Sequence, residues 1–433
     1  MLHKRNVFLT PKNVFMNLVY DLLVAIATQI LKFVALFSPK IKLFVGGRKI
    51  VFETLKQHVK PLEKTIWFHA ASLGEFEQGL PVIEAVKHKF PKHKIVVSFF
   101  SPSGYEIKKN TTLAHLTVYL PLDSKNNATT FLDLLHPEFV FFIKYEFWPN
   151  YLHELKKREI TTYLISGIFR SNQVFFKKYG SFFRNALFAF DYFFVQNENS
   201  KKLLNNIGFT NVEITGDTRF DRVVSILERD NTIDFIEQFK NNKTTIVIGS
   251  SWPKDEELLI NYINQSRDDL KFIIAPHIIK QEQIQKLKKS ILKSTVLFSE
   301  KDEILKQVQN DKLEKFQVFI IDTIGILTKI YSYADIAYVG GGFGNPGVHN
   351  ILEPATFGIP IVIGPNYKHF AEAIALVNLE GCISITNQNQ LNDAFDNLVN
   401  NHTIRLEKGH ICNTFVHVNT GATIKIINHV FKI

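Results

Sequence analysis

The sequence predicts an α/β protein of two doubly wound, Rossmann-like domains, and three observations carry that expectation. Short apolar runs rich in Val, Ile and Phe alternate with helical stretches along most of the chain, the pattern of parallel sheets covered by helices. The chain has 433 residues, 45% of them hydrophobic, which is long for one core and sufficient for two. The charged segment 222–243 lacks strand character and splits the alternation into two sets. The expected organisation is therefore a distinct segment at 1–38, a first domain at 39–221, a linker at 222–243 and a second domain at 244–433. Ligands in such folds bind at the carboxyl ends of the strands, so two facing domains would form a cleft.

The opening segment has its own chemistry. Residues 14–37 are long enough to span a bilayer but are interrupted by Asp21 and Lys32. At about 100° per residue, Asn17, Asp21, Thr28 and Lys32 share a narrow polar stripe opposite a wide apolar face. That suits a helix lying on a membrane, whereas a central Asp costs about 2.5–3.5 kcal/mol in a spanning one. A helix docked on the protein's own core is the alternative. No small-residue cleavage site follows the run. Lys40, Lys42, Arg48 and Lys49 come next, where anionic head groups would meet them.

Composition narrows the function classes. A formal charge of +10 favours anionic partners: nucleic acid, a membrane surface or phosphorylated substrates. The 39 phenylalanines lie in apolar runs such as Phe139–Phe142, so they read as core rather than as base-stacking platforms, and nucleic acid is not expected. Cys382 and Cys412 are the only cysteines, which excludes a disulfide framework, and no zinc-type spacing occurs.

In the first set, strands are expected at Ile66–Ala70, Ile95–Phe99, Val118–Leu120, Phe139–Ile143, Thr161–Ile165, Tyr192–Gln196 and Val212–Thr215. After the first of these, His69-Ala-Ala-Ser72-Leu-Gly74-Glu75 turns into a helix with Glu75 in its first turn. Glu75 reads either as an acid stabilised by the helix dipole or as a general base able to take a proton from a hydroxyl. His69 and Ser72 line the same turn without the partners of a nucleophilic triad. Ser101-Pro-Ser103-Gly104-Tyr105 and Lys144-Tyr-Glu146-Phe-Trp148-Pro149-Asn150 end two further strands, where helix starts hold anions or hydroxyls.

The second set comprises Thr245–Gly249, Phe272–Ala275, Val318–Ile321, Ile336–Val339, Ile361–Ile363 and Ile383–Ile385, with Lys280–Lys315 expected as a helix and a surface hairpin or loop. Gly249-Ser250-Ser251-Trp252 and Ala275-Pro276-His277 end strands. Asp322-Thr323-Ile324-Gly325 ends another, reading either as an edge contact to a base or as a helix cap. The densest constellation follows Val339: Gly340-Gly341-Gly342 permit a backbone to pass close to a ligand. Beyond Pro346 and Gly347, His349–Phe357 is expected to be a short helix whose free N–H groups face the glycine turn, with Glu353 placed to accept from a sugar hydroxyl. An ordinary strand–turn–helix corner is the other reading.

With these motifs in place, the chain resembles the 3-deoxy-D-manno-octulosonic acid (Kdo) transferases of lipopolysaccharide biosynthesis, which have the GT-B glycosyltransferase fold. The resemblance runs to about residue 380. It rests on His69–Glu75, Tyr145–Asn150, Gly216-Asp217-Thr218-Arg219-Phe220-Asp221, Gly249–Trp252, Asp322–Gly325 and Gly347–Pro354. The family implies CMP-Kdo as donor, a lipid A precursor (lipid IVA) as acceptor, inversion at the anomeric carbon without a metal or other cofactor, and the cytoplasmic face of the inner membrane. It implies Glu75 as catalytic base, with His69, Ser72, Gly74, Ser103 and Glu146 about the acceptor. Ser250, Ser251, Pro276, His277, Gly341, Gly342, His349, Asn350 and Glu353 are expected about the donor. Two positions depart from the pattern: His277 stands where the family often has Arg, and Ile326 where it usually has an acid. The rival readings are another GT-B nucleotide-sugar enzyme, such as a UDP-GlcNAc 2-epimerase, and a non-catalytic basic membrane-binding protein.

Overall fold

The computed structural model describes residues 11–307, 313–345 and 347–432. Pro346, expected to open the turn before His349, and part of the Lys280–Lys315 stretch lie outside them. The chain divides into two compact units, one of residues 1–222 with 420–433, the other of residues 223–419.

In the first unit a seven-stranded sheet is built from β1 (Thr65–Ala70), β2 (Lys94–Phe99), β3 (Leu116–Tyr119), β4 (Pro137–Ile143), β5 (Thr161–Gly167), β6 (Tyr192–Val195) and β7 (Val212–Ile214). Its order is β3-β2-β1-β4-β5-β6-β7, and every neighbouring pair is parallel. β1 is buried along its whole length and sits where the order reverses, so the loop leaving it opens at the switch point of the sheet. Apolar layers cover both faces, one including Trp67, Phe131 and Phe142, the other Phe68, Phe76 and Phe141.

The second unit repeats the plan with β8 (Thr245–Ser251), β9 (Lys271–Pro276), β10 (Thr295–Leu297), β11 (Val318–Ile320), β12 (Ile336–Val339), β13 (Ile361–Ile363) and β14 (Cys382–Ser384). The order is β10-β11-β9-β8-β12-β13-β14, all parallel, with the reversal between β8 and β12. The loops after β8 and β12 therefore lie side by side. β10 was not expected from the sequence: three residues set in a lysine-rich stretch carry too short an apolar run to be recognised, and their parallel pairing with β11 supplies the missing stabilisation.

Two boundaries are corrected by packing. The expected linker 222–243 contains the helix Asp234–Lys240, whose Ile236 and Phe239 are fully buried in the core of the second unit. The last helix, Ala422–Phe431, expected with the second domain, belongs to the first unit, where Ile426 and Val430 join the core. Asp221 caps it by accepting from the backbone N–H groups of Gly421 (2.6 Å) and Thr423 (2.7 Å).

The N-terminal helix α1 (Pro11–Val34) is followed by α2 (Pro39–Lys49) and α3 (Val51–His58). The polar stripe of α1 does not face water throughout. Asn150 donates to Asp21 Oδ1 (2.8 Å), and the Tyr20 hydroxyl donates to the buried Asp123 (2.8 Å). Asp123 also accepts from the backbone of Asn150 and Tyr151, at the start of the helix Pro149–Lys157. The opposite face of α1, with Phe15, Leu18, Leu22, Leu23, Ile26, Ile30 and Phe33, is left exposed. Phe15–Val34 is long and apolar enough to cross a membrane, and the helix is held near its midpoint to the first unit through Tyr20 and Asp21.

Candidate active site

At the end of β1 the chain turns through Ala71 and Ser72 into α4 (Leu73–Lys89). Glu75, only 8% exposed in the first turn, accepts a short hydrogen bond from the Ser72 hydroxyl. One turn on, Gln78 donates to Asp217 (2.6 Å) and its carbonyl accepts from the Thr218 hydroxyl. The segment Gly216–Asp221 thus grips α4 just below Glu75, a structural task for a motif the sequence had only flagged.

The neighbouring strand ends close around this turn. Ser101 donates its backbone N–H to Ala71 (2.8 Å), and the Ser101 and Ser103 hydroxyls share a hydrogen bond of 2.7 Å. Gly104 is needed there because a Cβ would strike the Phe99 ring at 2.2 Å and the Ser72 carbonyl carbon at 3.0 Å. Gly74 has no such constraint, its nearest neighbour being Ser72 Oγ at 3.8 Å.

His69 is fully buried in a hydrogen-bonded row. Trp67 Nε1 donates to Ser98 Oγ (2.7 Å), Ser98 Oγ lies 2.8 Å from His69 Nδ1, and Trp148 Nε1 donates to Glu146 Oε2 (3.0 Å). His69 Nε2 sits 3.5 Å from the same Glu146 oxygen. Trp148 Nε1 also donates to His69 Nε2 (3.1 Å), so Nε2 is the unprotonated nitrogen and Nδ1–H donates to Ser98 Oγ. Ser98 and Trp148 were not among the expected site residues, although Trp148 stood within the quoted motif; Ser98 has no local signal, since its role depends on strand pairing.

In the second unit the glycine turn is a packed corner, one of the two forms its sequence allowed. The Gly341 N–H donates to Asp255 Oδ2 (2.8 Å), Gly340 N–H to Gly249 O (2.9 Å) and His349 N–H to Gly340 O (3.1 Å). A Cβ on Gly341 would meet Gly347 O at 2.3 Å, and one on Gly342 the Gly364 backbone at 2.7 Å, so it is the chain itself that approaches these glycines. Asp255, completely buried, also accepts from the Tyr338 hydroxyl (2.9 Å) and from Trp252 N–H (2.9 Å). A phosphate seated on Gly341 would face this carboxylate, and the two charges would repel. An acid three residues after the cap Trp252, with Pro253 between, is a helix-start signature legible in the sequence, but its reach to Gly341 is not.

The side chains facing outward lie around that corner. Ser250 stands at φ +54°, a left-handed conformation uncommon outside glycine. Ser251 is corrected: it is 1% exposed and its hydroxyl donates to Glu256 (2.9 Å), so it does not point to a ligand. Trp252 Nε1 donates to His349 Nε2 (2.8 Å), and the His277 ring stacks on both, with centroids 4.7 Å from Trp252 and 4.4 Å from His349. Burial lowers the pKa of His277, and burial followed by the neighbouring His277 lowers that of His349, so both rings are neutral at pH 7. The expected helix His349–Phe357 is shorter, Leu352–Thr356, and ahead of it Asn350 accepts from Leu352 N–H (3.1 Å). Glu353 accepts from Asn350 Nδ2 (3.0 Å) and from the Thr328 hydroxyl (2.8 Å), a partner the sequence did not indicate. Pro276 ends β9 beside this group.

Two parallel sheets of seven strands, each with polar residues gathered at its reversal point, define a GT-B protein. The UDP-GlcNAc 2-epimerase of Neisseria meningitidis shares the fold: TM-score 0.58 at 15% identity, covering 85% of this chain and all of that one. The profile of the 3-deoxy-D-manno-octulosonic-acid transferase (kdotransferase) family matches residues 48–222. The 3-deoxy-D-manno-octulosonic acid transferase of Chlamydophila psittaci is 28% identical over 367 residues, 80% of this chain and 82% of its own. That of Chlamydia trachomatis serovar D is 28% identical over 382 residues, 84% and 86%. Over about four fifths of its length the chain is thus similar to Kdo transferases, and its residues 48–222 match the model of that family.

Proposed function

We propose that the enzyme transfers Kdo from CMP-Kdo to a hydroxyl of a lipid A precursor, lipid IVA, with inversion at the anomeric carbon. The observation that carries this reading is Glu75, a nearly buried carboxylate held by Ser72 at the end of the central strand. Glu75 takes the proton of the attacking hydroxyl as the new bond to the anomeric carbon forms and the bond to the CMP phosphate breaks, so CMP leaves with the electron pair. No metal or other cofactor has a part in this scheme. His69, Ser72, Gly74, Ser103 and Glu146 surround the acceptor in this reading. Ser250, Pro276, His277, His349, Asn350 and Glu353 bind the donor, with Gly341 and Gly342 shaping the corner behind it. Incubation with CMP-Kdo and a tetraacylated lipid A precursor, followed by mass spectrometry, tests the reading: a product heavier by Kdo units is expected, and an unchanged acceptor overturns it.

In the same reading Glu353 accepts from the ribose hydroxyls of CMP. Glu353→Gln keeps size and removes the charge-assisted part of the bond, roughly 1.5–3 kcal/mol, so CMP should bind about ten- to a hundredfold more weakly. Calorimetric titration with CMP and deoxy-CMP checks this, and equal losses for the two nucleotides would remove Glu353 from the site.

The exposed apolar face of α1 supports a position at the cytoplasmic face of the inner membrane in this proposal. Deleting residues 1–38 should release the protein from anionic vesicles and raise KM for the lipid acceptor more than for CMP-Kdo. Unchanged co-sedimentation with vesicles would dismiss the membrane role.

A further inference from the structure

Arg48, near the end of α2, carries a charge that no acid answers. Nη1 donates to Phe44 O (2.8 Å) and Nη2 to Phe100 O (2.6 Å), and no carboxylate among the described residues pairs with it. The guanidinium carbon lies 3.6 Å above the Phe44 ring centroid, 4.9 Å from Phe100 and 5.1 Å from Tyr119, and Nε is buried without a hydrogen-bond partner. Burial lowers its pKa to about 10, so it remains cationic at neutral pH. A hydrocarbon side chain would fill the same aromatic cage without the desolvation cost, so stability alone is a poor reason for a guanidinium here.

What a planar two-pronged donor does at this place is tie the Phe44 carbonyl of α2 to the Phe100 carbonyl while lying against both rings. Phe100 follows the last residue of β2, immediately before Ser101–Ser103, and its ring stacks on Trp148 at 4.6 Å and 29°. Trp148 in turn donates to Glu146 and touches His69. A continuous row of contacts thus joins α2, the helix that follows the apolar α1, to the polar groups around Glu146. We propose that Arg48 is a positioning residue that sets the Phe100–Trp148 platform and, through it, Glu146 and the Ser101–Ser103 loop for the acceptor. This rests on the acceptor reading above.

The full-length protein labelled with 5-fluorotryptophan provides the test, because Trp67, Trp148 and Trp252 are its only tryptophans and Trp148→Phe assigns the resonance. Arg48→Met fills the cage without the hydrogen bonds, and Arg48→Lys keeps the charge without the fork. In both, the Trp148 resonance should shift or broaden while that of Trp252 stays in place. Since misplacement of a site by about 1 Å can cost on the order of a hundredfold, KM for the lipid acceptor should rise roughly ten- to a hundredfold, that for CMP-Kdo should change by less than about twofold, and Arg48→Lys should retain more than Arg48→Met. A stationary Trp148 resonance would overturn the role of Arg48. A displaced resonance with unchanged acceptor KM would overturn the acceptor assignment of this edge instead, and equal losses for both substrates would show a merely structural side chain.

Discussion

Glu75→Gln should abolish Kdo transfer while leaving a folded protein. Glutamine still accepts from the Ser72 hydroxyl, so the first turn of α4 keeps its geometry, but the amide cannot take a proton. Loss of a general base costs about 10²–10⁴-fold in rate, equivalent to roughly 3–5.5 kcal/mol of barrier. Turnover measured at saturating CMP-Kdo and acceptor, beside a thermal melt and a CMP titration, separates the chemical loss from a folding defect. Near-normal turnover would take Glu75 out of the chemistry and return it to the role of a helix-stabilising acid.

Asp255→Ala is expected to produce the largest stability loss of any single change around the second site. It strips acceptors from the buried Gly341 N–H and Tyr338 hydroxyl and from the partly buried Trp252 N–H. Each orphaned donor costs about 1–3 kcal/mol, and allowing for partial rearrangement the sum is roughly 3–5 kcal/mol. For a unit of this size that lowers Tm by on the order of 10 °C. Asp255→Asn should fall between, because its amide must set an NH₂ group against at least one of the three donors. CMP affinity should drop with the unfolding of the corner between Trp252 and Gly341. A melt of Asp255→Ala that coincides with wild type would mean that the carboxylate does not support the glycine turn.

The difference between those two acids shows how far the site was legible. Glu75 stands six residues after His69 in a strand–turn–helix segment, so its place at a strand end followed from local pattern alone. Asp255 carries an equally visible helix-start signature, yet its main work is done 86 residues away at Gly341. Gly340–Gly342 allowed both a turn open to a ligand and an ordinary corner, because the sequence does not say whether a ligand or the protein's own backbone occupies the space a Cβ would take. Gly347 and Gly364 occupy it. Ser251 misled for the same reason: the strand end was legible, but which face its hydroxyl takes was not, and it turns inward to Glu256.

By itself the sequence determined the two sheets, nearly all their strands, the helix start that carries Glu75, and the amphipathic α1. All of these rest on periodicity, capping and turn chemistry acting over a few residues. Tertiary structure alone decided which polar groups remain available and which are already spent. Gln78 meets Asp217 across 139 residues and Gly421 meets Asp221 across 200, so the motif Gly216–Asp221 proved to be a brace for α4 and a cap for the last helix. The final helix crosses to the first unit because its apolar face finds burial there, and α1 turns Asp21 inward because Asn150 supplies a donor 129 residues away. Hydrogen-bond partners and burial are properties of groups brought together from distant parts of the chain, and no local pattern encodes them.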